Sequence, residues 1–278
     1  MTSRSKSMDS TPPLGALDAF KRLASPRQWG PDKRWSVAFG GRVVQDELIA
    51  GLRAHRSAVE KRFSPKAEAY PVVLGCVPWL DSDAIVDALI DLGSCCIVVD
   101  KKTNNEQCMR LLSEASGVQQ RLLGAIATWG PPERGRPPVI GPSSPLWDRE
   151  LEPLRVAGWK KADREKSPLL HAKLAICCAA WRWEGEAGGT DDVFTPMSVW
   201  MGSANWTKDS PKHLELGAWS TDAELATAAL EFVTAVIKIS EMYGAGPGGP
   251  EPQLVEGEWD DAAFAEVLGE MELDDDEG

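Results

Sequence analysis

Between residues 44 and 62 apolar side chains recur every three to four positions, through Val44, Leu48, Leu52 and Val59, and predict an amphipathic helix. The run YPVVLGCVPWL at 70–80 is apolar on both alternations, as expected of a strand covered on both faces. Ser82 or Asp83 can cap a following helix that carries Ile85, Val86, Leu89 and Ile90. CCIVVD at 95–100 predicts a second strand, and a strand, a helix and a strand at this spacing form a parallel crossover unit. Residues 107–116 have the pattern of another helix, and SVAFG at 36–40 that of a first strand. Residues 16–34 suggest a short helix and a loop. Further along, 169–178 and 198–206 predict two strands that can pair as a hairpin, with a polar loop at 184–192. A long helix follows over 221–243, with Leu225, Ala229, Phe232, Val236 and Ile239 on one face.

Punctuation along the chain divides it. Residues 1–35 form an N-terminal extension whose first fifteen positions are Ser/Thr/Pro-rich, and 36–243 form one α/β domain. Residues 244–278 are a Gly/Pro linker and an acidic tail with room for one short helix around 259–268. Pro and Gly at 129–148 predict a long loop or lid. No run reaches the ~18–20 apolar residues of a membrane span, and no apolar segment follows the basic N-terminus as in a signal peptide. Six cysteines in 278 residues are too few for a disulfide scaffold, so a cytoplasmic setting is expected, with Cys95–Cys96 and Cys177–Cys178 as core thiols.

Net charge is −12, which argues against a nucleic-acid partner only until it is mapped. Residues 1–70 hold 13 Lys/Arg against 7 Asp/Glu, whereas 241–278 hold 13 Asp/Glu and no Lys/Arg. The acidity therefore resides mostly in the tail, which can dock on a basic partner protein or cover a basic cleft. Arg53, Arg56, Lys61, Arg62 and Lys66 are candidates for phosphate-backbone contacts.

The chemistry lies in LLHAKLAIC (169–177) and MGSANWTKDSPKHLELG (201–217). On a strand, His171 and Lys173 share one face while Leu170, Ala172, Leu174 and Ile176 share the other. Ser203 and Asn205 repeat the alternation on the next strand. Imidazole, ammonium, hydroxyl and amide side by side suit a phosphate diester. The imidazole can attack phosphorus or move a proton, and the other groups can bind phosphoryl oxygens. The bland reading of each is a structural histidine, an edge-strand lysine and ordinary turn residues. Trp206 and Thr207 adjoin the patch and are candidate substrate contacts, as are Trp181 and Trp183, which can stack bases.

His171-Ala172-Lys173 followed by Gly202-Ser203-Ala204-Asn205-Trp206-Thr207 resembles the phospholipase D superfamily, over roughly residues 36–240. Glu215, in HLELG, matches its downstream acidic residue. The family's Asp five residues after the Lys is Cys178 here, and 179–197 look inserted. Both the missing Asp and the S-A-N and E-L-G-like stretches are similar to the tyrosyl-DNA phosphodiesterase branch. The resemblance implies a mixed, largely parallel sheet flanked by helices, one lobe per chain. It implies a metal- and cofactor-independent phosphodiesterase with a phosphohistidine on His171, Lys173 and Asn205 on the phosphoryl oxygens, Ser203 beside them, and Glu215 orienting His171. Family members use two H-x-K motifs, and of His55, His171 and His213 only His171 sits in one, so a homodimer with a composite site is expected. A nuclease acting on DNA rather than RNA, in bacterial defence or restriction, is the first reading. An inactive binding subunit of a nucleic-acid-processing complex is the second. A phospholipid phosphodiesterase is the third, against which stand the lack of a span, a basic amphipathic helix and a secretion signal.

Overall fold

Strands that read as apolar on both alternations need cover on both faces, and a single sheet with helices on each side supplies it. The computed structural model describes residues 27–29, 34–63, 65, 68–119, 150–158, 170–184 and 190–245. Expectations for residues 1–26, for Lys66, for the Pro/Gly stretch at 129–148 and for the acidic tail lie outside them. In chain order the elements are β1 (Arg27–Trp29), β2 (Trp35–Phe39), α1 (Gly41–Arg62), β3 (Tyr70–Val77), α2 (Asp83–Leu92) and β4 (Ser94–Asp100). Then come α3 (Glu106–Glu114), β5 (Val118–Gln119), β6 (Glu150–Leu151), β7 (Leu154–Ala157), β8 (Leu174–Glu184) and β9 (Thr190–Gly202). The last are β10 (Leu216–Ser220), α4 (Ala223–Lys238) and β11 (Glu241–Met242).

Nine strands form one sheet in the order β1-β2-β10-β9-β8-β3-β4-β7-β11, and β5 and β6 form a small ribbon. The α/β class and the β3–α2–β4 parallel crossover agree with the sequence pattern. The expectation of a largely parallel sheet is corrected: only β3/β4 and β4/β7 are parallel, and the other pairings are antiparallel. The reason is the hairpin of β8 and β9, whose short connection forces an antiparallel pair into the middle of the sheet. Residues 179–197, read as an insertion, lengthen this hairpin, and the two strands pair from Leu174↔Met201 out to Glu184↔Thr190. Arg27–Trp29, assigned from sequence to the extension, pairs with β2 as the sheet's edge strand.

Alternation sorts the side chains into two cores. Val73, Val77, Ile97, Val99, Ala175 and Cys177 pack with α1, α2 and α3 on one face. Val72, Leu74, Val98, Ile176 and Cys178 pack with α4 on the other. All six cysteines are buried free thiols. The buried stripe of α4 runs through Ala226, Ala229, Leu230, Val233, Val236 and Ile237, so Phe232 and Ile239, expected on it, are exposed instead. An alanine-rich helix presents two apolar stripes of similar strength, and packing selects between them. Asp222 caps α4 by accepting from Leu225 N (3.0 Å) and pairs with Arg34 (2.9 Å), which together hold its carboxyl below the usual range.

One irregularity has a specific repair. Pro196 in β9 lies opposite Cys178 and has no N–H to offer its carbonyl, and the ladder shifts register there. His55, buried on α1, donates from Nε2 to Cys178 O at 2.7 Å. A carbonyl only accepts, so His55 carries its proton on Nε2. Burial pushes its pKa below the ordinary 6.5, partly offset by that hydrogen bond. The unfolded chain therefore takes up a proton at a pH where folded His55 does not, and stability falls as pH drops through 6.5. Thermal melts at pH 7.5 and 5.5 should show this loss, and His55→Gln should reduce it. His55→Leu, which strands the Cys178 carbonyl, should cost about 1–3 kcal/mol at either pH.

Candidate active site

The sheet places the ends of five strands at one edge. Here β3 ends, β8 begins opposite it (Cys76↔Leu174), β9 ends, β10 begins, and β2 runs out into α1. Ligands of open α/β sheets gather at the carboxyl ends of the parallel strands, and this is that edge.

His171 and Lys173 lie just before β8, on extended chain rather than within the strand as expected. Their alternation still holds: Leu170, Ala172 and Leu174 pack toward the α4 core, while Ala175 continues the parity of Lys173 into the other. His171 is exposed, and Lys173 is 8% exposed. The Lys173 ammonium donates to the His171 carbonyl at 3.0 Å, tying the two residues together. Burial lowers the Lys173 pKa from 10.5, and the nearby Glu215 charge opposes that shift.

Ser203 and Asn205 lie past the end of β9, in the turn that follows Gly202, rather than on a strand. Gly202 N donates to Lys173 O at 3.3 Å, which sets this turn beside the lysine. Ser203 is the knot of the site. Its N–H donates to Leu216 O (2.9 Å), its Oγ accepts from Leu216 N (3.1 Å), and its hydroxyl donates to Glu215 Oε2. Glu215 is thus held at the start of β10, with its side chain 13% exposed. Its other oxygen is 3.9 Å from His213 Nδ1. The described residues contain no hydrogen bond between Glu215 and His171, so the expected orienting contact is replaced by Ser203 and His213. Among the described residues the Asn205 side-chain oxygen is buried without a partner, while Ser210 Oγ donates to the Asn205 carbonyl at 2.7 Å. An open amide oxygen accepts, so it is a ready contact for a ligand hydroxyl or other donor.

The tryptophans redistribute. Trp206 is 1% exposed and packs in the core beneath the site, its main chain bridging to Leu80. As a substrate contact it is therefore corrected to a support. Thr207 stays at the turn, its hydroxyl 2.9 Å from Ser210 Oγ. Trp181 donates to Thr195 Oγ1 (3.0 Å) and packs on Phe63, far along the hairpin from His171. Trp79, 44% exposed, is tied to the turn of the site through its carbonyl, which accepts from Trp206 N at 3.0 Å. Sequence reading absorbed it into the apolar strand; its place just past the last strand residue before Ser82 was the available signal. His213 lies outside the H-x-K pattern and carries no such signal in the sequence. The cations Arg53, Lys61 and Arg62 lie on the later turns of α1, away from the helix start that faces the site, and Arg56 donates to Leu92 O at 2.8 Å to close the C-terminus of α2.

At the family's Asp position, Cys178 is fully buried and its thiol pKa is pushed far up by that burial. It faces the α4 core, away from Lys173.

No protein-family model and no curated protein matches the chain. Among solved structures it is similar to NucT from Helicobacter pylori, with a TM-score of 0.44 and 14% identity over 74% of this chain and 96% of that one. It is also similar to Nuc from Salmonella typhimurium, described as a phospholipase D family member, with a TM-score of 0.42 and 14% identity over 76% of this chain and 99% of that one. A polyphosphate kinase from Porphyromonas gingivalis overlaps at a TM-score of 0.39 and 14% identity, over 88% of this chain and 29% of that one.

The burial of Cys178 makes a strong prediction. Cys178→Asp, which introduces the residue that the resembling superfamily carries here, should place an unpaired carboxyl in the core and cost about 3 kcal/mol or more. Calorimetry should show the melting temperature falling by roughly 6–12 °C.

Proposed function

We propose that the chain is a phosphodiesterase that cleaves nucleic acid, DNA before RNA, without a divalent ion. The observation that carries this reading is the gathering of Lys173, Ser203, Asn205 and Glu215 at one sheet edge, with His171 exposed two residues from the lysine. In the proposed reaction a neutral His171 attacks phosphorus, a bond to the leaving oxygen breaks, and a phosphohistidine forms. A protonated His171 from a second copy gives its proton to the leaving oxygen. That same imidazole, now neutral, takes a proton from water, whose oxygen displaces the first His171 and frees the product phosphate. Lys173 and Asn205 bind the non-bridging oxygens, and Glu215 balances the positive charge around them.

Two features support a second copy at this edge. His171 stands at the surface rather than in a closed pocket. Leu214 (78% exposed) and Leu216 (52%), which flank Glu215, and Trp79 (44%), whose carbonyl accepts from Trp206 N, leave apolar side chains open to solvent, as at an unpaired interface. No helix among the described residues is long and apolar enough to cross a membrane. We place the activity in the cytoplasm, in defence against foreign DNA, with the acidic tail at 244–278 as a docking element for a basic partner.

With labelled single- and double-stranded DNA, RNA and liposomes, all in EDTA, wild-type protein should cleave DNA, and His171→Ala should lose about a thousandfold in rate. Acid-labile phosphate should be trapped on the wild-type chain during turnover and not on the variant. Turnover of liposomes alone would assign a lipid substrate, and cleavage of nothing by a dimeric, folded protein would assign a binding subunit. Because burial lowers the Lys173 pKa from 10.5, loss of its ammonium should add a further fall in kcat/KM that begins below pH 10.5. Lys173→Arg should remove that added fall and leave the rest of the pH profile in place.

A further inference from the structure

Beyond the reacting group, a strand of nucleic acid brings neighbouring phosphates, and the molecule has a second place for one. A cleft of about 340 Å³ opens between the N-termini of α1 and α2. Arg42, Gln45, Ser82, Asp83, Lys208 and Lys212 are among its lining residues. It shares a turn with the candidate active site: Lys208 follows Asn205 by three residues, which limits their Cα separation to about 11 Å. Ser210, whose hydroxyl donates to Asn205 O, belongs to the same turn. Residues 210–213 are pressed against the start of α1, where a Cβ on Gly41 would lie 2.0 Å from Ser210 O, so cleft and site move as one piece.

Its polar groups favour an anion. Arg42 and Lys208 make no ion pair among the described residues, and Lys212 is matched by Asp209 at 2.7 Å. Asp83 is the acidic residue on the wall. Ser82 is 4% exposed and occupies the cap position of α2, yet makes no side-chain cap bond. Its oxygen accepts instead from Gln45 Nε2 at 2.8 Å, and its hydroxyl proton is uncommitted among the described residues. Gln45 also donates to Thr207 O at 3.3 Å, which locks this arrangement to the turn. Among the described residues the first-turn N–H groups of α2 thus have no side-chain cap, at the positive end of the helix. Two open cations, a buried hydroxyl with a proton to give and uncapped amides around one cleft meet the requirements of a phosphate.

We propose that this cleft is a second phosphate site, which holds a backbone phosphate flanking the one cleaved at His171 and so sets where the strand is cut. The inference rests on the nucleic-acid reading above. It also moves the electrostatic contact from the later turns of α1, where Arg53 lies ~17 Å along the helix from Arg42, to the helix start.

The test uses the full chain with His171→Ala, so that binding is read without cleavage, and compares it with the same chain carrying Arg42→Ala and Lys208→Ala. Oligonucleotide affinity should fall about tenfold, and the slope of log affinity against log salt should fall by about 1–2. On the active background the same pair of changes should leave kcat/KM for bis(4-nitrophenyl) phosphate, which has no flanking phosphate, within about twofold. Unchanged oligonucleotide affinity and salt slope, with binding intact, would overturn the second site and leave the nuclease reading standing. The same holds if the variant loses only stabilisation by inorganic phosphate. No binding of nucleic acid by the parent chain would sink both.

Discussion

Taking an ammonium group out of water is costly unless oxygen atoms meet it, and Lys173 is met on two sides. The carbonyl of His171 accepts from it directly, and the charge of Glu215 opposes the effect of burial on its pKa. Neither is complete neutralisation. Glu215 spends one oxygen on the Ser203 hydroxyl and has His213 near the other. The ammonium therefore retains capacity for another anion. Remove Glu215, and the lysine pKa would fall further; remove Ser203, and the carboxylate would lose the contact that holds it at the mouth of β10.

The frame around this pair does the positioning. Ser203 clamps the ends of β9 and β10 through both its main chain and its side chain. The long β8–β9 hairpin fixes where Lys173 stands relative to that clamp. Gly40, at φ 89°, turns the chain from β2 into α1, and its N–H donates to Glu215 O at 2.8 Å, so the same carboxylate-bearing residue is also tied to the start of the first helix. A substitution with a side chain at Gly40 would force that turn out of the conformation glycine tolerates. The site is thus seated on strand ends and helix starts, which are stiffer supports than free loops.

Much of this was legible in the chain, for identifiable reasons. Parity put His171 and Lys173 on the face opposite Leu170 and Leu174, and the burial of the odd and even positions agrees although regular strand pairing starts only at Leu174. Apolar runs on both alternations marked β3 and β4. Less legible was anything decided by distant partners. The antiparallel middle of the sheet depends on a hairpin whose length was read as an insertion. The pairing of His55 with Cys178 depends on a proline more than a hundred positions away in the chain. The neighbourhood of His213 and Glu215 is close in sequence, but two residues of the same strand-entry turn say nothing of reach until Ser203 fixes the carboxylate. Arg42 carried no local pattern that separates a surface residue from a cleft residue.

The place of β3 also governs how the chain is made. It is paired on one side with β4, close by in sequence, and on the other with β8, so that Cys76 faces Leu174 only after the intervening stretch has left the ribosome. Until then β3 offers a bare apolar edge to any other nascent chain. The late-arriving β8–β9 ribbon, locally paired, is the piece that shuts this edge, and in the same movement it delivers His171 and Lys173. Closing the edge and placing these two side chains are therefore one event: a chain that stalls before the ribbon docks is prone to aggregate and holds neither in place.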